Sequence, residues 1–185
     1  MREFKRVGAS SANKIFSELC FCILTANFNA ERAIEIQKMV GAGFRTLSQE
    51  ELAKKLKELG YRHPNIRSKY IVRAREHSKT IKHTVKGYKD DKRLREWIVK
   101  NIMGLGYKEA SHFLRNIGRE NVAIIDFHII DLMEKSGLIE RPKTLTPKKY
   151  LEAERVLSRL AGKVGLSLAE LDLYLWYLET GKVLK

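Results

Sequence analysis

Cysteine is almost missing from this 185-residue chain: Cys20 and Cys22 are the only two, both inside the apolar run from Leu19 to Leu24. With no second pair, a structural zinc or iron–sulfur site has nothing to complete it. A disulfide between residues two apart in a helix would be badly strained, so both read as reduced thiols. No stretch alternates long enough to make a central strand, and no apolar run approaches a membrane span. Phe4-Lys5-Arg6-Val7 stands where a signal peptide would need its apolar core. Repeats and low-complexity segments are absent as well. These absences leave an all-helical globular protein, expected to be cytoplasmic, not membrane-bound and without a metal site.

Acidic residues are also in deficit. Thirty-six Lys and Arg stand against 22 Asp and Glu, a formal charge of +14. An excess of this size favours a polyanionic partner. It is concentrated between Tyr61 and Lys100, where thirteen Lys or Arg face four Asp or Glu and are interleaved with Tyr61, Tyr70, Tyr88 and Trp97. The segment reads either as a surface for a nucleic-acid backbone or as a solvated helical face.

Helical periodicity and caps divide the chain. Ala12 to Ala26 carries apolar residues almost all round and is expected to be largely buried. Asn29 caps a helix running to about Val40. Ser48-Gln49-Glu50-Glu51 is a capping box for a helix that Gly60 stops. A long basic helix is expected from Asn65 or Ile66 to about His83, and another from Asp90 or Asp91 into a glycine turn. Asn121 to Ile125 reads as a short extended connection before a helix capped by Asp126. Pro142 and Pro147 bracket a linker, Thr146-Pro147 begins the next helix, and Ser167 to Glu170 is a second capping box before Leu168 to Leu178. The expected lobes are 1–30 with 140–185, formed by the two chain ends, and 31–139.

The segment with most chemical content is Met103-Gly104-Leu105-Gly106-Tyr107-Lys108-Glu109-Ala110, followed eighteen residues after the lysine by Asp126. Two glycines one residue apart make a tight turn whose backbone N–H groups can converge on a phosphate. Lys108 opens the following helix, beside any bound backbone. An unprotonated amine there could attack deoxyribose C1′ and form a Schiff base. Asp126 is well explained as an N-cap, and a carboxylate held that way also suits stabilisation of positive charge on a sugar. His112 and His128 read as helix-face residues.

These residues, Ile102 to Ala110 with Ile124-Ile125-Asp126-Phe127-His128, resemble the helix-hairpin-helix DNA glycosylase superfamily. Across essentially its whole length the chain is similar to the small 8-oxoguanine DNA glycosylase/AP lyase type 2 family of archaea and some bacteria. The resemblance implies an all-α, two-lobed fold without an extra N-terminal β-domain, with the helix-hairpin-helix at about 96–118. It makes Lys108 the Schiff-base nucleophile and Asp126 its acidic partner, and has Gly104, Leu105 and Gly106 hold DNA phosphates. Asn27 would reach the unpaired opposite base, Trp176 would stack on the extruded purine, and Lys185, with its terminal carboxylate, would help recognise 8-oxoguanine. The lack of a cysteine cluster after Asp126 sets the chain apart from the iron–sulfur branch.

The implied partner is duplex DNA containing 8-oxoguanine, met by a monomer associated with the nucleoid. No cofactor is required, and the hairpin carbonyls could hold a structural alkali ion. Three alternatives stay open: a glycosylase for another oxidised base, a non-catalytic hairpin module that only binds DNA, and a helical RNA-binding protein.

Overall fold

The computed structural model describes residues 1–182 and 185, and of Glu179 the backbone alone. The described residues form helices and no strand: α1 (Arg2–Ala9), α2 (Ala12–Thr25), α3 (Ala30–Val40), α4 (Gly43–Thr46), α5 (Gln49–Glu58), α6 (Pro64–Ala74), α7 (Ile81–Gly87), α8 (Asp91–Asn101), α9 (Tyr107–Asn116), α10 (Phe127–Lys135), α11 (Pro147–Val164) and α12 (Leu168–Thr180). The caps read from the sequence are in place. Asn29, Asp90, Asp126 and Thr146 each accept a first-turn N–H, and Ser48 and Ser167 form complete capping boxes. Each satisfies orphan donors at a helix start, typically worth about 1 kcal/mol.

The expected long basic helix is instead two, α6 and α7, joined by a 3-10 turn at Arg75–His77. Two contacts explain the break. The Ser78 N–H and hydroxyl both donate to the Arg75 carbonyl, at 2.9 and 2.7 Å, tightening the turn. The Arg75 guanidinium meanwhile donates to the Phe44 carbonyl at 2.8 Å, tying that turn to α4. Neither contact has a periodicity signature.

Buried residues form two clusters. The larger joins α2 to residues as far as Val122; the smaller runs from Ala123 through α10 and α11 to Leu171. The larger cluster is centred on α2: ten of its fourteen residues are buried, so it packs as a central helix against α3, α6, α7 and α9. Helix α1 lies across the end of α9, so close that a Cβ on Gly8 would sit 2.1 Å from the Ile117 carbonyl oxygen.

Several residues of the basic segment proved structural. Tyr61 is buried and donates to the Leu24 carbonyl at 2.7 Å, and Trp97 packs edge-on against His77. Arg95 is 0 % exposed and forms a two-pronged ion pair with Glu154. Lys69, Arg73, Lys79, Lys86 and Lys89 remain on the surface as candidates for a phosphate backbone.

Candidate active site

The hairpin between α8 and α9 has the tight geometry its glycines imply. Gly104 lies at φ +88°, and a Cβ there would stand 2.3 Å from the Tyr70 ring, so both conformation and space demand glycine. Leu105 is buried as the anchor of the turn, and Gly106 serves as N-cap of α9. The first N–H groups of α9 have no intrahelical acceptor and carry the positive end of its dipole.

Beyond the hairpin, α9 has two faces. Ala110, Phe113 and Leu114 enter the core, while Lys108, His112 and Arg115, at i, i+4 and i+7, line a cleft of about 540 Å³. Asp126 and Ile129 form a second wall, Asn27 and Phe28 a third, and Asp172, Leu175 and Trp176 of α12 a fourth; Lys185 also lines it. The structure therefore brings Lys108, Asp126, Asn27, Trp176 and Lys185 to one cleft. Gly104, Leu105 and Gly106 lie off it, on the hairpin at the head of the same helix.

Asp126 divides its two oxygens. Oδ1 caps α10, accepting from the N–H groups of His128 at 3.1 Å and Ile129 at 3.2 Å. Oδ2 faces the Lys108 ammonium, with Nζ 3.4 Å away. Both side chains are partly open to solvent, 36 % for Lys108 and 25 % for Asp126, so a ligand entering the cleft can reach them. The cap and the charged pair are thus simultaneous.

A buried scaffold fixes the pair. The Tyr150 hydroxyl donates to the Ala123 carbonyl at 2.6 Å and accepts from the Ile125 N–H at 3.2 Å. It stands 3.3 Å from the Ser111 hydroxyl, one turn after Lys108. Glu154, paired with Arg95, accepts from the Ala123 N–H at 2.8 Å. The 121–125 connection thus gives its polar groups to Tyr150 and Glu154 of α11 and, through the Asn121 N–H, to Asp91 of α8, and its end delivers Asp126 opposite Lys108.

Asn27 stands at φ +57°, the one non-glycine at positive φ among the described residues. Asparagine tolerates this conformation better than most residues, and such strain collects at functional sites. Tyr61 on the Leu24 carbonyl and Arg67 on the Ala26 carbonyl, at 2.7 and 2.9 Å, hold the turn, leaving Asn27 exposed at the cleft.

Sequence reasoning missed three lining residues. Asp172 pairs with Arg115 at 2.6 Å on the cleft floor; burial pushes its carboxyl above the usual range, against the pull of the guanidinium. His112, read as a plain helix-face residue, has a buried Nε2. Burial holds it well below the ordinary histidine range, and Arg115, Lys108 and Lys185 push the same way against the Lys185 main-chain oxygen. The Nε atoms of His112 and Trp176, both in the cleft wall, find no hydrogen-bond partner among the described residues. The i, i+4, i+7 spacing from Lys108 was the available signal for His112 and Arg115. Asp172 had none.

A glycine hairpin opening a helix with lysine in its first turn, and a capping aspartate facing that lysine across a cleft, define a helix-hairpin-helix DNA glycosylase. The family model described as 8-oxoguanine DNA glycosylase matches residues 1–166. An 8-oxoguanine DNA glycosylase/AP lyase of Korarchaeum cryptofilum is 53% identical over all of this chain and 88% of its own length. The crystal structure of the Methanocaldococcus jannaschii 8-oxoguanine glycosylase/lyase, in complex with a 15mer DNA containing 8-oxoguanine, superposes with a TM-score of 0.95 at 54% identity, covering 100% of this chain and 89% of that one. That of the Thermotoga maritima 8-oxoguanine DNA glycosylase has a TM-score of 0.93 at 48% identity, covering 100% and 88%. The chain belongs to the 8-oxoguanine DNA glycosylase family.

Proposed function

We propose that this protein is a bifunctional 8-oxoguanine DNA glycosylase/AP lyase in which Lys108 is the nucleophile and Asp126 its electrostatic partner. The observation that carries the assignment is the 3.4 Å approach of Lys108 Nζ to Asp126 Oδ2 inside the cleft, with the other Asp126 oxygen committed to the cap of α10. A purine in a duplex hides C1′, so the damaged nucleotide must leave the stack, at a cost of a few kcal/mol. The exposed lysines of the basic segment and the N–H groups of Gly104 and Gly106 would hold the flanking phosphates, with Leu105, whose N–H donates to the Ile102 carbonyl at 3.3 Å, anchoring the turn. Asn27 would take up space near the unpaired base, and Trp176 and Lys185 would receive the extruded one.

Attack needs the neutral amine; the proton that Lys108 gives up passes to water in the open cleft, so that Asp126 stays ionised. Nζ then bonds to C1′ while the C1′–N9 bond breaks, its electron pair leaving with the purine, which takes up a proton. Asp126 stabilises the positive charge that develops on the sugar. Opening of the sugar ring leaves a Schiff base between Nζ and C1′. This acidifies the C2′ proton, and its removal expels the 3′ phosphate and nicks the strand 3′ to the lesion. The nucleophile and the charge-stabilising group are protein side chains and water carries the other protons; an alkali ion at the hairpin would serve only to hold its shape. No described helix is long and apolar enough to cross a membrane. The setting we infer is the cytoplasm, on chromosomal DNA, with one chain supplying every group.

The test is borohydride trapping on duplexes carrying one 8-oxoguanine, beside undamaged and oxidised-pyrimidine controls. The expected result is a covalent adduct and base release on 8-oxoguanine, both lost in Lys108→Gln. Tight binding to every duplex without adduct or release would leave only a DNA-binding module. An adduct confined to the oxidised pyrimidine would change the substrate.

A further inference from the structure

Helix α2 is the most deeply buried helix of the fold, yet a carboxylate stands in its middle: Glu18, 2 % exposed. A buried charge persists only where it is paired and hydrogen-bonded. Among the described residues the one cation in ion-pair range of Glu18 is Lys185, 167 positions away, whose Nζ lies 2.8 Å from Oε1 and 3.1 Å from Oε2. Gln37 of α3 completes the socket. Its Oε1 accepts from the same ammonium, while its amide nitrogen donates to Glu18 Oε1 at 3.2 Å and to the Ser17 carbonyl at 2.9 Å. The Phe21 ring lies under the ammonium, 4.5 Å from its centroid, and meets His112 edge-on.

The socket also continues beneath the cleft. Asn116 donates to Glu18 Oε2 at 3.4 Å, the Arg115 guanidinium donates to Asn116 Oδ1, and Arg115 holds Asp172 at 2.6 Å. A polar chain from Lys185 to Asp172 therefore runs under the space where the extruded base is placed.

We propose that Glu18, supported by Gln37, is a positioning residue for lesion recognition: it anchors the Lys185 ammonium and so fixes the Lys185 main chain, beside His112, in the wall of the base pocket. This rests on the reading of the cleft as an 8-oxoguanine pocket. Glu18 is not itself among the residues that line the cleft and reaches it through Lys185, so its effect passes through that residue. Substitution of Lys185 alone therefore has two consequences, a lost pocket wall and an unpaired carboxylate in α2.

The experiment compares the parent with Glu18→Gln, Gln37→Met, Lys185→Met and the double variant Glu18→Gln/Lys185→Met. Three quantities are measured: kcat/KM for 8-oxoguanine release, the ratio of 8-oxoguanine to guanine release, and nicking of DNA with a preformed abasic site. The last needs Lys108 and Asp126 but no base. Loss of one charge-assisted anchor is expected to lower base release and discrimination by roughly tenfold or more in Glu18→Gln, and by less in Gln37→Met. Abasic-site nicking by Glu18→Gln and Gln37→Met is expected to stay within about twofold of the parent. The double variant is expected to release base no more slowly than Lys185→Met alone, because both changes act on one anchor.

Unchanged discrimination in Glu18→Gln would overturn the proposal. So would losses that multiply in the double variant, or an equal fall in release and abasic nicking. If Glu18→Gln does not fold, Gln37→Met carries the same comparison. A parent that releases no 8-oxoguanine would instead overturn the functional reading on which the socket rests. A parent active on 8-oxoguanine with indifferent variants removes the socket alone.

Discussion

The Tyr150 hydroxyl donates to the Ala123 carbonyl at 2.6 Å, three residues before Asp126. The same oxygen accepts from the Ile125 N–H and meets Ser111, so one phenol ties the Lys108 helix to the segment that presents the aspartate. Removing it leaves buried backbone groups unpartnered, at about 1–3 kcal/mol for such a loss. Tyr150→Phe is expected to lower stability by that order and to reduce both base release and abasic nicking. Denaturant unfolding read beside the two activities checks this. A stable variant with parental rates would show that the phenol does not position the site.

Asp126 caps α10 with one oxygen and faces Lys108 with the other, and Asp126→Asn separates the cap from the charge we propose to be catalytic. Asparagine caps a helix about as well as aspartate, so the thermal midpoint is expected to move little. The charge facing Lys108 is gone, and base release is expected to fall by roughly a hundredfold or more. Equal loss of stability and rate would mean that the residue serves as a cap alone.

Gly104 bears both a positive φ and the Tyr70 ring. A left-handed conformation costs a non-glycine residue roughly 1–2 kcal/mol before the ring is displaced. Gly104→Ala is expected to weaken binding to undamaged and damaged duplexes alike, since the proposed role of the hairpin is to hold phosphates. Binding titrations on both duplexes check it. A loss confined to lesion DNA would place the hairpin in base recognition instead.

His112 titrates in the unfolded chain near its ordinary value of 6.5, but burial keeps it neutral in the native state to well below that. Below pH 6.5 the unfolded chain therefore binds the extra proton, and native stability falls with acid by up to about 1.4 kcal/mol per pH unit from this group. His112→Phe removes the linkage. Between pH 7.5 and 5.5 the parent is expected to lose more unfolding free energy than the variant, as denaturant titrations at the two values would show. Equal losses would mean that His112 protonates in the native protein as readily as in the unfolded chain.

Caps, breaks and the hairpin are local, and they were legible as letters. Asn29, Ser48, Asp90, Asp126, Thr146 and Ser167 each answer a donor within three residues, so the sequence alone determines where those helices start. The spacing of Gly104, Gly106 and Lys108 likewise set a tight turn at the start of α9, because turn and helix start are neighbours along the chain. Tertiary structure decided the rest. The basic stretch broke at Arg75 because that guanidinium found the Phe44 carbonyl, and Arg95 left the surface because Glu154 lay opposite. Glu18 reads in sequence as one polar residue in an apolar helix. Only the fold, by bringing Lys185 across 167 positions, turns it into a socket. Propensity acts over a turn or two, whereas the pairing of a buried charge depends on which distant group shares its cavity.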